Sequence, residues 1–382
     1  MQASTRSWWT EVAYRYIGNK TRLLPWLLEL IGREVEPGGT VADLMCGTAS
    51  VAAALRSRGY RVIASDVMTY SVHHARVRLK LGRPPRFGRL DTDGYGGVLA
   101  ELNSLPPLEG FFHRECSPAG NPLEGCKPRQ YLSAANAARL DAIMTRLGEL
   151  EGAGCLSENE AALLRHDAVL ATNRVANIAG TYGHYWSQWT RAAATPLELL
   201  PSEFDRGART DHVVTKGRVE DVAQSVSADL CYLDPPYTKR QYAANYHLIE
   251  TVARGDSPEA IGVSGLRPWR DQYSDFCSKL RLWDAFTQAI ETIDCSKLLI
   301  SYSEDGLIPR DDMLDFLAEF GHVVCEQISF PRFRSNQSEL PHSLTEFAFL
   351  IDRTRRPGME IRPASRLEDL VIQTAWTGAP AA

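Results

Sequence analysis

The chain has no Cys-x-x-Cys pair, no Gly-x-Gly-x-x-Gly, no excess of basic charge and no apolar run long enough to span a bilayer. Each absence removes a class of protein. The eight cysteines (46, 116, 126, 155, 231, 277, 295 and 325) are scattered, so neither a zinc site nor a disulfide scaffold is expected, and no metal. Reduced thiols in a cytoplasmic protein are the simpler account. Apolar runs fall short of the roughly 18 residues that suggest a spanning helix. Residues 1–10 carry no apolar signal core, and no membrane partner is expected. A net charge of −5 argues against indiscriminate coating of nucleic acid, yet leaves room for a local basic cleft. What remains is an ordinary globular composition, 44% hydrophobic and 23% charged, over 382 residues. That length accommodates one large α/β domain plus a further module.

Short β-type runs occupy residues 40–45, 61–65, 212–215, 229–233, 297–302, 322–330 and 344–352. Several are almost continuously apolar, as parallel strands covered on both faces are. Helical patterns lie at 23–33, 50–58, 70–80, 275–292 and 311–319. The alternation predicts a doubly wound α/β sheet. The last two runs have no helical pattern between them, which predicts an antiparallel hairpin at one sheet edge. Residues 81–211 form an insert too long for a plain loop. It opens with a Pro/Gly-rich stretch (82–97), then carries helical patterns at 133–150 and 157–180. Ser133 and Ser157 are placed as N-caps, the second with Glu160 in capping-box spacing. The expected division is therefore 1–80, a helical insert 81–211, 212–353 and a tail 354–382.

Two motifs carry chemistry. The first strand runs into Cys46-Gly47-Thr48-Ala49-Ser50 and then a helix, a small-residue turn that lets backbone approach a ligand. Asp43 ends that strand, placed to meet a positively charged amino group. Asp66 ends the second strand, placed to accept both hydroxyls of a ribose. An ordinary βαβ turn is the plainer reading of this loop alone.

The second motif is Asp234-Pro235-Pro236-Tyr237, directly after an apolar strand. Two prolines remove two backbone donors, so the turn presents carbonyls. Asp234 adds a carboxylate acceptor and Tyr237 a flat ring. This set suits an aromatic amine, whose NH2 donates two hydrogen bonds while its ring stacks. The amine's lone pair is delocalised and a poor nucleophile. Holding both hydrogens, with the Asp234 side chain and the Pro235 carbonyl, favours a tetrahedral nitrogen aimed at a sulfonium methyl group.

With both motifs in view, the chain resembles the Dam-like class of N6-adenine DNA methyltransferases, especially its FokI-type branch. Tyr14-Arg15-Tyr16-Ile17-Gly18-Asn19-Lys20 is similar to that family's first cofactor segment. Asp43 to Val51 is similar to its methionine-binding loop, with Ala49 where a second glycine is usual. The Asp234 tetrapeptide continues into Thr238-Lys239-Arg240-Gln241-Tyr242 and Asn245-Tyr246-His247-Leu248. Residues 173–184, 300–306 and 331–336 extend the likeness over most of the chain.

The resemblance implies a class I methyltransferase sheet of seven strands, with the inserted helical region recognising the target. It implies S-adenosyl-L-methionine as cofactor, double-stranded DNA as substrate and a flipped adenine. Lys20 and Tyr16 would hold cofactor or target base, and Asp43 and Asp66 the methionine amino group and ribose. The family's usual acidic residue near the cofactor adenine has no counterpart, since Arg218 falls at that spacing. Asp221, or backbone groups, would take the role. A cognate restriction endonuclease is a possible partner.

Lys239 with Arg240, and Arg332 with Arg334, are the expected phosphate contacts, each also readable as a solvated face. Tyr182, His184, Tyr185, Trp186 and Trp189 read as core packing. His73 and His74 point to different helix faces and form no metal pair. Two other functions fit the same scaffold: adenine methylation of RNA, and non-catalytic DNA binding. Intact Asp234 and Tyr237 speak against the latter.

Overall fold

Strands covered on both faces must place apolar residues at every position, and the central strands here do so. The computed structural model describes residues 16–123, 125–205, 209–331 and 343–366. Its strands are β1 (Thr40–Asp43), β2 (Arg61–Asp66), β3 (Val213–Lys216), β4 (Leu230–Leu233), β5 (Lys297–Ser303), β6 (His322–Pro331), β7 (Ser343–Asp352), β8 (Gly358–Ile361) and β9 (Ser365–Arg366). They form one sheet in the order β3-β2-β1-β4-β5-β7-β6-β8, with β9 also paired to β6. Pairing is parallel from β3 through to β5, and β7 runs antiparallel to both β5 and β6.

The period-2 alternation of side chains divides the sheet residues between two cores. Val41, Val62, Leu230, Tyr232 and Leu299 pack with helices α1 (Leu24–Glu34) and α2 (Ser50–Ser57). Ala42, Ile63, Cys231, Leu233, Leu298 and Ile300 face the opposite way. Fully burying a Leu, Ile or Phe side chain contributes about 1.5–3 kcal/mol each.

Eight further helices are α3 (Thr69–Lys80), α4 (Gly94–Ser104), α5 (Phe111–Cys116), α6 (Ala134–Gly152), α7 (Glu158–Val175), α8 (Val219–Val222), α9 (Tyr242–Asn245) and α10 (His247–Arg254). Two more, α11 (Leu282–Thr292) and α12 (Arg310–Leu317), cover the second face of the sheet. Helices α4 to α7 belong to the insert. Leucines of α4, α6 and α7 share a third core with Met68 and with Tyr70 and Val77 of α3, and with Tyr246, which precedes α10, and Leu248 and Val252 within it. Helix α7 lies on both α3 and α10, and His166 of α7 bonds the buried His74 of α3 at 2.6 Å. Ser133 and Ser157 cap α6 and α7, and Ser157 and Glu160 complete a capping box.

The sheet departs from the expected seven strands. Part of the 354–382 segment adds β8 and β9, both parallel to β6, so the β6–β7 hairpin does not form the sheet's edge. The backbone of β6 would otherwise present an unpaired ladder, and a short strand bearing Glu360 next to Arg362 covers it. The pattern at 275–292 is also broken. A 3-10 turn (Asp275–Cys277) precedes α11, because Ser274 is tied by its N–H and carbonyl to the Gln241 side chain. Helix α7 stops at Val175, where the buried Asn177 turns away to organise the next loop. No helix among the described residues is long and apolar enough to cross a membrane.

Within the insert, Asp167 is buried and accepts from Tyr95 Oη (2.7 Å) and Ser202 Oγ (2.6 Å). Burial pushes its pKa up to about 7, although both hydroxyls pull it down. The folded state therefore holds this proton more tightly than the unfolded chain, and stability falls as pH rises from about 4 to about 7. Asp167→Asn keeps the shape and removes the charge. We expect it to raise unfolding free energy over wild type by about 2–3 kcal/mol more at pH 8 than at pH 5, by urea denaturation. A pH-independent difference would contradict this.

Candidate active site

The sheet order places β1 beside β4, where consecutive crossovers diverge in direction, and a crevice opens there beyond the strand ends. The cleft is lined by Asp43 at the end of β1, Asp66 at the end of β2, Gly217 to Glu220 after β3, and Asp234 to Tyr237 after β4. Chemistry-bearing residues far apart in sequence converge because each ends a neighbouring strand.

The loop after β1 is held from below. Asp66 Oδ2 accepts from the Gly47 N–H (2.8 Å) and Oδ1 from the Met68 N–H (2.8 Å). Gly47 has φ +50, and a Cβ there would come within 3.2 Å of the Tyr16 ring. Burial pushes Asp66 up to about 6, against those two amides. Asp43 is 1% exposed, and among the described residues neither carboxylate oxygen has a well-formed hydrogen bond. Burial, then the Asp234 and Asp66 charges, raise its pKa well above the carboxylate range, against the nearby Ala52 and Met45 N–H groups. An unpartnered buried carboxylate facing a cleft is a receptor for a cation.

Residues 16–20 form the cleft's other wall. Ile17 N–H donates to Tyr246 Oη (2.7 Å), and Tyr242 Oη donates to the Ile17 carbonyl (2.8 Å). The Tyr16 ring stacks on Tyr246 at 4.7 Å between centroids. Gly18 has φ +75 and lies against Tyr242, where a Cβ would sit 3.1 Å from Oη. This clamp delivers Lys20 into the interior. Its Nζ is 3.2 Å from Asp234 Oδ1 and 3.2 Å from Glu346 Oε2, and 5.4 Å from the Tyr237 ring centroid. Burial would lower the lysine's pKa, but Asp234 and Glu346 outweigh it and hold it well above the ordinary value. Burial raises Asp234, with Lys20 pulling back. Burial raises Glu346 too, opposed by Lys20 and reinforced by Asp234. The Tyr237 ring packs edge-on against Tyr302 at 6.1 Å, and its carbonyl accepts from the Leu307 N–H (2.9 Å). Tyr302 and Leu307 thus prop up the turn at residues 234–237.

The structure brings together Tyr16, Lys20, Asp43, Cys46, Gly47, Thr48, Ser50, Asp66, Asp234, Pro235, Pro236 and Tyr237. Asp221 is a correction: it does not line the cleft, whereas Arg218, Val219 and Glu220 do. The short helix α8 turns residue 221 off the lining face. Ala49 is also corrected. It lies behind the loop, fully buried, with φ +56 in the left-handed region that explains why glycine is usual there. Lys239 and Arg240 are exposed outside the lining, and neither makes an ion pair among the described residues. Arg332 and Arg334 lie outside the described residues, as do Tyr14 and Arg15. Core packing holds for Tyr182 but not for Trp186 and Trp189, which are 50% and 44% exposed. Asn177 holds that loop through Trp186 and Thr190 backbone bonds. His247 is structural, buried against the Tyr182 carbonyl at 2.9 Å. Sequence reasoning missed Glu346, whose signal was a lone carboxylate in an otherwise apolar stretch of β7.

Lys20→Met would leave Asp234 and Glu346 buried and facing each other without a cation. We expect about 3–5 kcal/mol lost at pH 8, and less at pH 5, where either carboxyl can take up a proton. The double variant Lys20→Met/Glu346→Gln should recover part of the loss in the same urea titration. An equal loss at both pH values, with no recovery, would contradict the triad.

Comparison with known proteins agrees with this geometry. The chain is 30% identical over 348 residues to the type II methyltransferase M.FokI of Planomicrobium okeanokoites, covering 89% of this chain and 52% of that protein. It is 28% identical over 346 residues to the modification methylase StsI of Streptococcus sanguinis, covering 89% and 52%. It is 28% identical over 347 residues to the type II methyltransferase M.NlaIII of Neisseria lactamica, covering 89% and 99%. The chain thus spans about half the length of the first two relatives and nearly all of the third. The family profile matches residues 16–313, from the tyrosine under the Gly47 loop to the first turns of α12. The chain belongs to the D12 class N6 adenine-specific DNA methyltransferases.

Proposed function

We propose that the protein transfers a methyl group from S-adenosyl-L-methionine to the exocyclic nitrogen of an adenine turned out of duplex DNA. The observation that carries this reading is one cleft holding both the unpartnered Asp43 carboxylate and the Lys20-bound Asp234 beside Tyr237. The cofactor fits the residues present. Asp43 would hold its ammonium group and Asp66 its ribose, and its net positive charge would suit a cleft carrying Asp43, Asp66 and Asp234. The bound cofactor supplies an electrophilic methyl on a sulfonium.

The protein's own residues prepare the acceptor. Tyr237 offers its ring to the flipped base. Asp234 accepts one hydrogen of the amino group and the Pro235 carbonyl accepts the other, so the lone pair is directed rather than delocalised. Lys20 pairs with Asp234 Oδ1, and the Ser301 hydroxyl also stabilises this carboxylate, which keeps it an acceptor for the substrate. One N–C bond forms as one S–C bond breaks. The surplus proton leaves the nitrogen through Asp234, whose raised pKa makes it a better proton acceptor than an exposed carboxylate.

In this reading Lys239 and Arg240 contact phosphates beside the flipped nucleotide, and Arg332 and Arg334 contact the duplex backbone. The 81–211 insert recognises the site. Exposed Trp186 and Trp189 belong to a face presented to DNA. A cytoplasmic role in restriction-modification with a cognate endonuclease completes the reading, supported by relatives that are type II modification enzymes.

Tritiated methyl transfer to duplex DNA tests the proposal. Wild type should label DNA and yield N6-methyladenine on nucleoside digestion, and Asp234→Ala should lower the rate by at least about 100- to 1,000-fold. No label in DNA from wild type would end it. Cofactor binding should also release protons near pH 6, because a cation favours the ionised forms of Asp43 and Asp66. Affinity should weaken as pH falls through about 6, where Asp66 takes up its proton. Calorimetry in two buffers of different ionisation enthalpy reads both, and proton uptake would contradict the assignment.

A further inference from the structure

We propose that Gln272 reads the adenine of the cofactor, its Oε1 accepting a hydrogen bond from that ring's exocyclic amino group. The inference rests on the cofactor reading above and names a residue in a segment that carries no motif. Gln272 is 3% exposed and lines the cleft. Its Nε2 donates to the Val67 carbonyl (2.9 Å) and to Glu250 Oε1 (2.8 Å). Both partners are acceptors, so the amide's orientation is fixed by its bonds and Nε2 cannot exchange places with Oε1. Glu250 is itself immobilised. It is fully buried and accepts from the Thr69 N–H (2.9 Å) and Tyr70 N–H (3.3 Å) and from Arg254 (2.8 Å).

The amide oxygen that remains is buried and has no hydrogen-bond partner among the described residues. A buried acceptor left in that state costs about 1–3 kcal/mol. A ligand amino group removes the cost. Position selects which amino group. Val67 follows Asp66, so Gln272 stands one residue beyond the ribose acceptor. Apolar Val67, Met68, Val219 and Phe276 line the same part of the cleft, as a flat heterocycle requires. Gln272 therefore supplies the acceptor that the sequence leaves unassigned at Arg218, and does so from a different part of the chain.

Calorimetry with S-adenosylhomocysteine and its deaminated analogue S-inosylhomocysteine tests this, because the analogue replaces the amino donor with a carbonyl acceptor. Wild type should prefer the adenine compound by about 10- to 100-fold. In Gln272→Met the preference should fall to within about 3-fold, with affinity for the inosine compound nearly unchanged. A preference retained in the variant assigns the amino group to Glu220 or backbone and overturns the proposal. Equal weakening of both compounds makes Gln272 a structural brace and overturns it too. An N6,N6-dimethyl analogue of S-adenosylhomocysteine, which has no N–H to give, should bind wild type as poorly as the inosine compound. Binding it as well as the parent overturns the proposal without any variant. Failure of wild type to bind any of the three removes the cofactor reading and this inference together, an outcome separate from failure of discrimination.

Discussion

The ammonium of Lys20, shared between Asp234 and Glu346, is the interaction on which the rest of the site depends. A buried carboxylate and a mostly buried one facing each other would repel and take up protons. A protonated Asp234 can be a donor, and a donor cannot hold the hydrogens of an amine. Lys20 opposes that uptake. It favours Asp234 as an acceptor and lies beside the Tyr237 ring. The lysine costs desolvation, which only paired carboxylates at close range offset. That is why a charge appears at the centre of an otherwise apolar sheet surface.

The fold supplies this arrangement by strand order. Residues 43, 66 and 234 end strands that lie side by side, and Glu346 is paired to Ser303 across β5 and β7. Lys20 has no strand to bring it in. The tyrosines of the region after Asp234 do that, through Tyr242 and Tyr246 bonds to Ile17. The turn at residues 234–237 with its following tyrosines and the wall at residues 16–20 are therefore mechanically one unit. The insert joins the same unit, because α7 packs on α3 and α10 in a core continuous with Tyr246. Glu250 of α10 binds the first N–H groups of α3, directly after the Asp66 turn.

Much of this was legible in the sequence because strand ends announce themselves. An apolar run followed by Asp-Pro-Pro-Tyr leaves few structural alternatives, and Asp43 and Asp66 follow from the same logic. The two N-caps of the insert were equally plain, since Ser157 and Glu160 satisfy local donors with no help from tertiary structure. What sequence did not give was tertiary in origin. Glu346 becomes a partner of Lys20 only through the β5–β7 register. Gln272 sits in a 3-10 turn whose amide is set by Val67 and Glu250, far away in the chain. Asp221 differs from Glu220 by one step on a four-residue helix, a phase that periodicity cannot resolve. The extra strands β8 and β9 are short and polar, so no hydrophobic pattern marked them. Trp186 and Trp189 resemble core residues by type and are surface residues by position.

The central claim is that Asp234 works as an ionised acceptor whose proton affinity is raised by burial and held down by Lys20, a cation it shares with Glu346. The pH profile of kcat for methyl transfer, wild type against Glu346→Gln, measures this most directly. Glutamine still accepts a hydrogen bond from Lys20 but no longer adds a negative charge beside Asp234. The account predicts that the acid limb of the profile moves to lower pH in the variant, while KM for the cofactor is unchanged. An acid limb that stays in place or moves to higher pH would contradict it.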